Sequence, residues 1–354
     1  MRRILLVGAG HAHLAALRSF VKKPLYGARV TLVTPEARQI YSGMLPGLIA
    51  GHYGMDEVQV DVAQLCRRAF AEFTPGSLTA HDLERRKAVL EDGTELGYDL
   101  ASLNAGSLVD RSLAGAEHAL AAKPFGSLVR GLKQAAPGRV AVAGAVVAGI
   151  ELAMALSHRG AAVTLYSGQS GLASAAARRA ARALRRQAVD FRPGMPVTAI
   201  EPGPVVIAGT SRQEFDLVIL ATGAAPLPWL RDSGLAVDAA GFALVHDTLQ
   251  SVSHPEVCAA GDCATLRAAP HPRSGVYAVR HGEVLAENLR RLLKAQPPNA
   301  YRPQRKALML ISCGARYAIA ERGGWTAEGR WVWRWKDWID RRWIESLRIP
   351  QDAS

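Results

Sequence analysis

Apolar and polar positions along this 354-residue chain follow two rhythms. Short continuous apolar runs stop at glycine, and each is followed by a longer stretch with apolar residues three or four apart. The first run, Arg3-Ile-Leu-Leu-Val7, stops at Gly8-Ala-Gly10. It predicts a buried strand, and the periodic residues to about Val21 predict a helix. Ala28–Val33 predicts a second strand, ending at Thr34-Pro35. Strand, glycine turn, helix and strand in that order make one Rossmann-type unit. Asp92-Gly93, flanked by Val89-Leu90 and Leu96–Tyr98, is a hairpin signal. Asp99–Ser107 predicts a parallel strand stopped by Gly106.

The same rhythm returns at Gly138. Arg139–Ala143 predicts a strand, Gly144–Gly149 a turn, Ile150–Arg159 a helix with Gly160 as its stop, and Ala161–Tyr166 the next strand. The chain therefore carries an internal repeat of the nucleotide-binding unit. Ala175–Ala188 predicts a basic helix bearing Arg178, Arg179, Arg182, Arg185 and Arg186. Phe215–Leu220 predicts a strand that runs into Ala221-Thr222-Gly223. His254–Ala264 is a strand-like run containing Gly261-Asp262, and Val276–Leu293 predicts a long helix.

The tail departs from this pattern. Six of the seven tryptophans fall between Trp325 and Trp343. Drawn as a helix, Trp331, Trp335, Trp338, Ile339 and Trp343 share one face and Asp337, Asp340 and Arg341 lie opposite, with Arg342 breaking the pattern on the apolar side. Two readings stay open: a helix that caps the protein's own core or a dimer contact, and an interfacial helix on an anionic membrane.

Composition narrows the class. Hydrophobic residues make up 49% and charged residues 21%, a globular balance. The formal charge of +12 allows a polyanionic partner. No basic cluster outside the C-terminus is interleaved with stacking aromatics, so no nucleic-acid partner is expected. Cys66, Cys258, Cys263 and Cys313 suggest neither a zinc site nor a local redox disulfide, and no metal is expected. A cytoplasmic location fits, with peripheral contact on the inner face of the membrane as the variant the tryptophans suggest. The opening residues mimic a leader peptide, but their apolar core is short and runs straight into a glycine turn. No stretch has the ~20 apolar residues of a membrane span.

Several motifs carry candidate chemistry. The Gly8-x-Gly10 turn offers backbone N–H groups and a helix N-terminus to a pyrophosphate. The third glycine of that pattern is replaced by His13, and Thr34 stands where an acid would hold the ribose. Gly261-Asp262 supplies a carboxylate able to accept a hydrogen bond from a ribityl hydroxyl. With Ala221-Thr222-Gly223 between them, the two segments read as the ends of an FAD site. In the second turn Gly144 and Gly149 are in place, but Val146 adds bulk where backbone should meet pyrophosphate, and the next strand ends Tyr166-Ser167 without an acid. Glu151, one turn into that helix, is expected to point at the junction of the two halves.

These motifs resemble the two-dinucleotide-binding-domain flavoproteins of the pyridine nucleotide-disulfide oxidoreductase superfamily, and within it the type II NADH dehydrogenase branch. Gly8-Ala-Gly-His-Ala-His13, Tyr41–Tyr53, Gly275–Arg280 and Trp331–Arg342 are further similar to the flavoprotein module fused ahead of selenide, water dikinase. The resemblance implies an α/β fold with two Rossmann-like domains of the glutathione-reductase type, the second inserted in the first, and a small C-terminal α+β region. The expected boundaries are 1–110 with 246–295 for FAD, 111–245 for NAD(P), and 296–354 for the tail. It implies an FAD site of Gly8, Gly10, His11, Ala12, Thr34, Pro46, Ala105, Gly106, Gly261, Asp262, Val276 and Tyr277. Pro46 would lie beside the isoalloxazine, and the helix N-terminus at Val276-Tyr277 would face the flavin's pyrimidine edge. Gly144, Gly149, Glu151, Thr222 and Gly223 would receive NAD(P)H.

The activity so implied passes hydride from NAD(P)H to the flavin and electrons on to a small-molecule or quinone acceptor, with no side-chain acid or base needed for the hydride step. The glutamine-rich quinone-contact pattern at the start of the long helix is absent, and Arg280-His281 stand there. One rival is a flavoprotein whose nicotinamide site is degenerate and whose reductant is a thiol, sulfide or protein, with Cys66 or Cys313 as participants. Another is a non-catalytic redox sensor or membrane-docked module.

Overall fold

A computed structural model describes residues 1–136, 138–169 and 175–348. The first glycine-stopped run forms the strand Arg2–Val7, the centre of a five-stranded parallel sheet. Its neighbours are Ala28–Thr34 on one side and Leu100–Leu103 on the other, with Ala71–Pro75 and Val257–Ala259 at the edges. A second five-stranded parallel sheet has the order Leu120–Ala121, Leu217–Leu220, Arg139–Ala143, Ala162–Tyr166, Asp190–Arg192. Parallel strands covered on both faces must be apolar on both sides, which is why these segments read as unbroken apolar runs. Each sheet anchors its own hydrophobic core.

The two halves share a register logic. Ile4 pairs with Val30 and Leu100, and Val140 pairs with Val163 and Leu217. In both, the central strand ends at a glycine turn and lies beside the strand whose end faces that turn. The chain leaves the first sheet after Leu103, builds the second, and returns at Val257–Ala259 to pair Cys258 with Ser102. The second unit is therefore inserted in the first. The outgoing and returning segments pair where they cross, Leu108 with Ala225 and Val109 with Ala224.

The helices follow the sequence closely: His11–Lys22, Val147–His158, Ala175–Arg186 and Gly275–Leu293. The long last member lies against the first, and a Cβ on Gly282 would sit 2.4 Å from the Ala12 carbonyl oxygen. The Asp92-Gly93 hairpin joins Lys87–Leu90 to Glu95–Gly97. The run 254–264 is not one strand. Gly261 adopts φ +69°, so pairing stops at Ala259, and Ala264–Leu266 joins Ala243–Val245 instead. An antiparallel sheet of Met309–Ser312, Ala318–Arg322 and Trp325–Gly329 precedes the C-terminal helix Arg330–Leu347. Residues 349–354 of the expected tail region lie outside the described residues.

That helix turns differently from its apolar pattern. Its inward face carries Val332, Lys336, Asp340, Ile344 and Leu347, while Trp331 and Trp338 are exposed. The reason is a polar seam with the distant segment 41–57. The buried Lys336 donates to the Gly43 carbonyl and, 2.6 Å away, to Asp340 Oδ2. The Tyr41 hydroxyl donates to Asp340 Oδ1 at 3.1 Å, and the Tyr53 hydroxyl to Asp337 Oδ1 at 2.7 Å. Satisfied in this way, a lysine–aspartate pair tolerates burial that would otherwise be costly. Among the described residues no helix is long and apolar enough to cross a membrane.

Candidate functional site

At the C-terminal ends of the first sheet, three segments meet around Asn104, a side chain the sequence reading passed over. The Asn104 backbone N–H donates to the Val7 carbonyl at 2.8 Å, and its carbonyl accepts from the Gly10 N–H at 3.1 Å. Its side chain Oδ1 accepts from the His13 N–H at 3.1 Å, and its Nδ2 donates to the Ala260 carbonyl at 2.7 Å. A single buried amide thus holds the opening turn against Gly261-Asp262. The glycines are required by this packing. A Cβ at Gly8, where φ is +86°, would lie 2.4 Å from Ala105 Cα, and one at Gly261 would lie 2.4 Å from Asn104 Nδ2.

The expected site residues distribute around this clasp. Gly8, Gly10, Ala105, Gly106, Gly261 and Asp262 are brought together. The helix from His11 starts at Gly10 with no side-chain cap and no acid in its first turn, and a Cβ on Gly106 would meet nothing within 4 Å. Free backbone donors at a helix start and open space beside glycine are what an FAD pyrophosphate needs, so these residues fit the group. His13 is structural: Nδ1–H donates to the Gly8 carbonyl at 2.6 Å and Nε2 accepts from Ser102 Oγ at 2.8 Å. Burial lowers its pKa to about 4, keeping it neutral. The imidazole fills the space that the missing third glycine would have closed. His11 is also held below its usual pKa by burial, opposed by the nearby Asp262 carboxylate. Its ring centroid lies 5.3 Å from that of Tyr41.

Thr34 is buried, and its hydroxyl accepts from Gln39 Nε2 at 2.7 Å. Pro46 lies in the short helix Leu45–Ile49. Val276 is exposed at the start of the long helix, whereas Tyr277 is buried and stacked on His271 with centroids 4.2 Å apart, and its N–H donates to the Ser274 carbonyl at 3.1 Å, so neither its ring nor its amide is free to face a ligand. His281 lies fully inside. Its Nδ1 accepts from the Gly261 N–H at 3.0 Å, which takes this residue out of contact with any acceptor. Arg273 braces the Asp262 turn by donating to its carbonyl at 3.2 Å and to Thr265 Oγ1 at 2.8 Å.

The second turn repeats the first without the amide clasp. Gly144 N–H donates to the Tyr166 carbonyl at 3.0 Å, as Gly8 N–H does to Val33 at 2.7 Å. A Cβ on Gly144 would lie 2.2 Å from the Ala221 carbonyl oxygen, and one on Gly149 would lie 1.9 Å from that of Gly144. Val146 occupies the N-cap with an extended backbone and is 48% exposed, so its side chain leaves the tight part of the turn unobstructed. Thr222 Oγ1 donates to the Asp110 carbonyl at 2.6 Å, and the Gly223 carbonyl accepts from the Asp110 N–H at 3.1 Å. Both therefore sit at the crossing between halves.

Glu151, expected to point at the junction of the two halves, has its Oε1 accepting from the Ser312 N–H at 2.7 Å, in the C-terminal antiparallel sheet. Burial raises its pKa to about 7, with Lys336 opposing the shift. Cys258 and Cys263 are separated by four residues, the spacing of many redox disulfides, yet all four cysteines are free and buried. Burial pushes the Cys66, Cys258 and Cys263 thiols up to about 12, 12 and 11, and that of Cys313 higher still. Such thiols remain protonated at neutral pH and are poor nucleophiles.

Known proteins place this geometry. The pyridine nucleotide-disulphide oxidoreductase family model matches residues 2–282. The nitric oxide reductase FlRd-NAD(+) reductase of Aeromonas hydrophila is 34% identical over 193 residues, half of this chain and 48% of that protein. The chain thus spans about half the length of the curated relatives it matches. Among solved structures, the sulfide:quinone oxidoreductase of Aquifex aeolicus superposes with a TM-score of 0.80 at 16% identity, covering 98% of this chain and 92% of that one. The water-forming NADH oxidase of Lactobacillus brevis, bound to NADH, gives 0.79 at 20% identity, covering 91% and 75%. With two joined nucleotide-binding units and a family match across both, the chain belongs to the pyridine nucleotide-disulphide oxidoreductases, which are FAD- and NAD(P)H-dependent oxidoreductases.

Proposed function

We propose that this chain takes hydride from NAD(P)H at the second turn and delivers the electrons, through FAD held at the first, to a small-molecule or quinone acceptor. The observation that carries this reading is the doubled arrangement itself. Gly8 and Gly10 press on Asn104 and Ala105, Gly144 presses on Ala221-Thr222, and Gly149 on Gly144 and Ala221. FAD, when bound, supplies the electron-accepting ring. The chain's own residues do the rest. His11 and Ala12 would present N–H groups to its pyrophosphate, and Gly8 and Gly10, whose own N–H groups donate to Val33 and Asn104, would let it approach closely. Ala105 and Gly106 would leave room, Gly261 would let Asn104 hold the Asp262 turn in place, and Asp262 would accept from the ribityl chain. Gly144, Gly149, Glu151, Thr222 and Gly223 would orient the nicotinamide dinucleotide. Val146 and Val147 are apolar surface at a helix start that a bound dinucleotide would cover. The protonated, buried cysteines argue against the rival in which Cys66 or Cys313 relays electrons from a thiol.

The test is anaerobic. Addition of NADH or NADPH is expected to bleach the 450-nm flavin band, on the order of one equivalent per flavin for a two-electron transfer, and a soluble quinone is expected to restore it. A protein that dithionite bleaches but neither nicotinamide does would remove the nicotinamide half of the proposal. Failure of every quinone to restore the band would remove that acceptor class.

The exposed Trp331 and Trp338, with Arg334 and Arg342 between and beyond them, form an outward stripe on the C-terminal helix. Arg342 lies over the Trp338 ring at 5.4 Å. We assign this stripe to an anionic membrane surface, since aromatic rings sit at headgroup level and arginines pair with lipid phosphate. Co-sedimentation with phosphatidylglycerol vesicles, but not phosphatidylcholine vesicles, is expected, and a Trp331→Ser/Trp338→Ser protein should lose at least about tenfold in binding. Equal pelleting of the two proteins would refute the assignment.

A further inference from the structure

Lys123 reaches across the boundary between the two nucleotide-binding units. It follows the edge strand Leu120–Ala121 of the second sheet, yet its Nζ lies 3.1 Å from Asp262 Oδ2 and 3.1 Å from Ser107 Oγ, both in the first unit. The two charged side chains are 32% and 25% exposed, so solvent screens them only partly. Arg273 cannot replace this cation, because its guanidinium is committed to Thr265, Asp238 and the Asp262 carbonyl. Ser107 follows Gly106, beside which there is open space, and Asp262 is the residue assigned above to the ribityl chain, which carries the flavin ring.

We propose that Lys123 sets the reduction potential of the bound flavin. The inference rests on the FAD assignment made under the proposed function. Hydride transfer moves two electrons and one proton from NAD(P)H to FAD, giving NAD(P)+ and a reduced flavin with one more negative charge. The cost of that charge depends on nearby fixed charges in a poorly screened crevice. Removing Lys123 deletes a cation and also leaves the Asp262 carboxylate uncompensated. Both consequences disfavour the reduced flavin, so the direction of the effect does not depend on where the ring lies within the crevice.

The experiment measures the flavin midpoint potential by dye equilibration, with protein in excess over FAD so that the flavin read is the bound one even where binding is weakened. In Lys123→Met the affinity for reduced relative to oxidised FAD is expected to fall about tenfold, a drop of about 30 mV for a two-electron couple. Lys123→Arg, which keeps the charge, is expected to hold the wild-type potential. A Met variant at the wild-type potential, or an Arg variant that falls as far as Met, overturns the proposal. No nicotinamide is used, so the measurement stands even if NAD(P)H proves not to be the reductant.

Discussion

An Asn104→Ala protein is expected to elute colourless and to melt well below the wild type. The side chain is buried and makes two bonds to different segments, accepting from the His13 N–H and donating to the Ala260 carbonyl. Truncation leaves both partners buried and unmatched, which costs about 1–3 kcal/mol each. The loss falls where the opening turn meets Gly261-Asp262, so the same change that lowers stability also separates the two halves of the flavin site. FAD content after gel filtration and a thermal melt test this directly. If the variant stays yellow with an unchanged melting temperature, another contact joins those segments. Asn104→Asp should fail almost as badly, because a carboxylate keeps the acceptor but cannot donate to Ala260.

Gly149→Ala is expected to separate the two cofactors. Its Cβ would sit 1.9 Å from the Gly144 carbonyl oxygen and 3.2 Å from the Ala221 side chain, so the second turn must open. The first sheet and its clasp are built from other residues, so FAD should remain bound and dithionite should still bleach it. Reduction by NADH and NADPH should slow at least about 100-fold, which corresponds to the loss of roughly 3 kcal/mol of productive binding. Stopped-flow absorbance under nitrogen provides the readout. Wild-type reduction rates would mean that the nicotinamide docks away from this turn.

The elements built on local signals were legible in the sequence. Apolar runs stopped by glycine gave the central strands, and the period of the residues after each turn gave the helices. Gly261-Asp262 was readable as a candidate site because a glycine and a carboxylate at a strand end are an uncommon pair with a chemical use. Asn104 was not, since an asparagine beside a strand end usually marks a turn, and nothing local says that its amide will bridge His13 and Ala260. Lys123 was hidden for the same reason: it acts on Asp262 from 139 residues away in the chain.

The C-terminal helix shows the limit most clearly. Its sequence sets an amphipathic helix dense in tryptophan, and leaves open whether the tryptophan side meets protein or a membrane surface. The folded chain puts Lys336 and Asp340 inside because Gly43 and Tyr41 satisfy them there, and it leaves Trp331 and Trp338 outside. What the sequence by itself determined was therefore the periodicities, the two glycine turns and the repeat that relates them, since these depend on neighbours within a few residues. Only the tertiary structure decided which buried polar groups find partners and which charges share a crevice, because hydrogen bonding and Coulomb attraction act between segments that chain order keeps far apart.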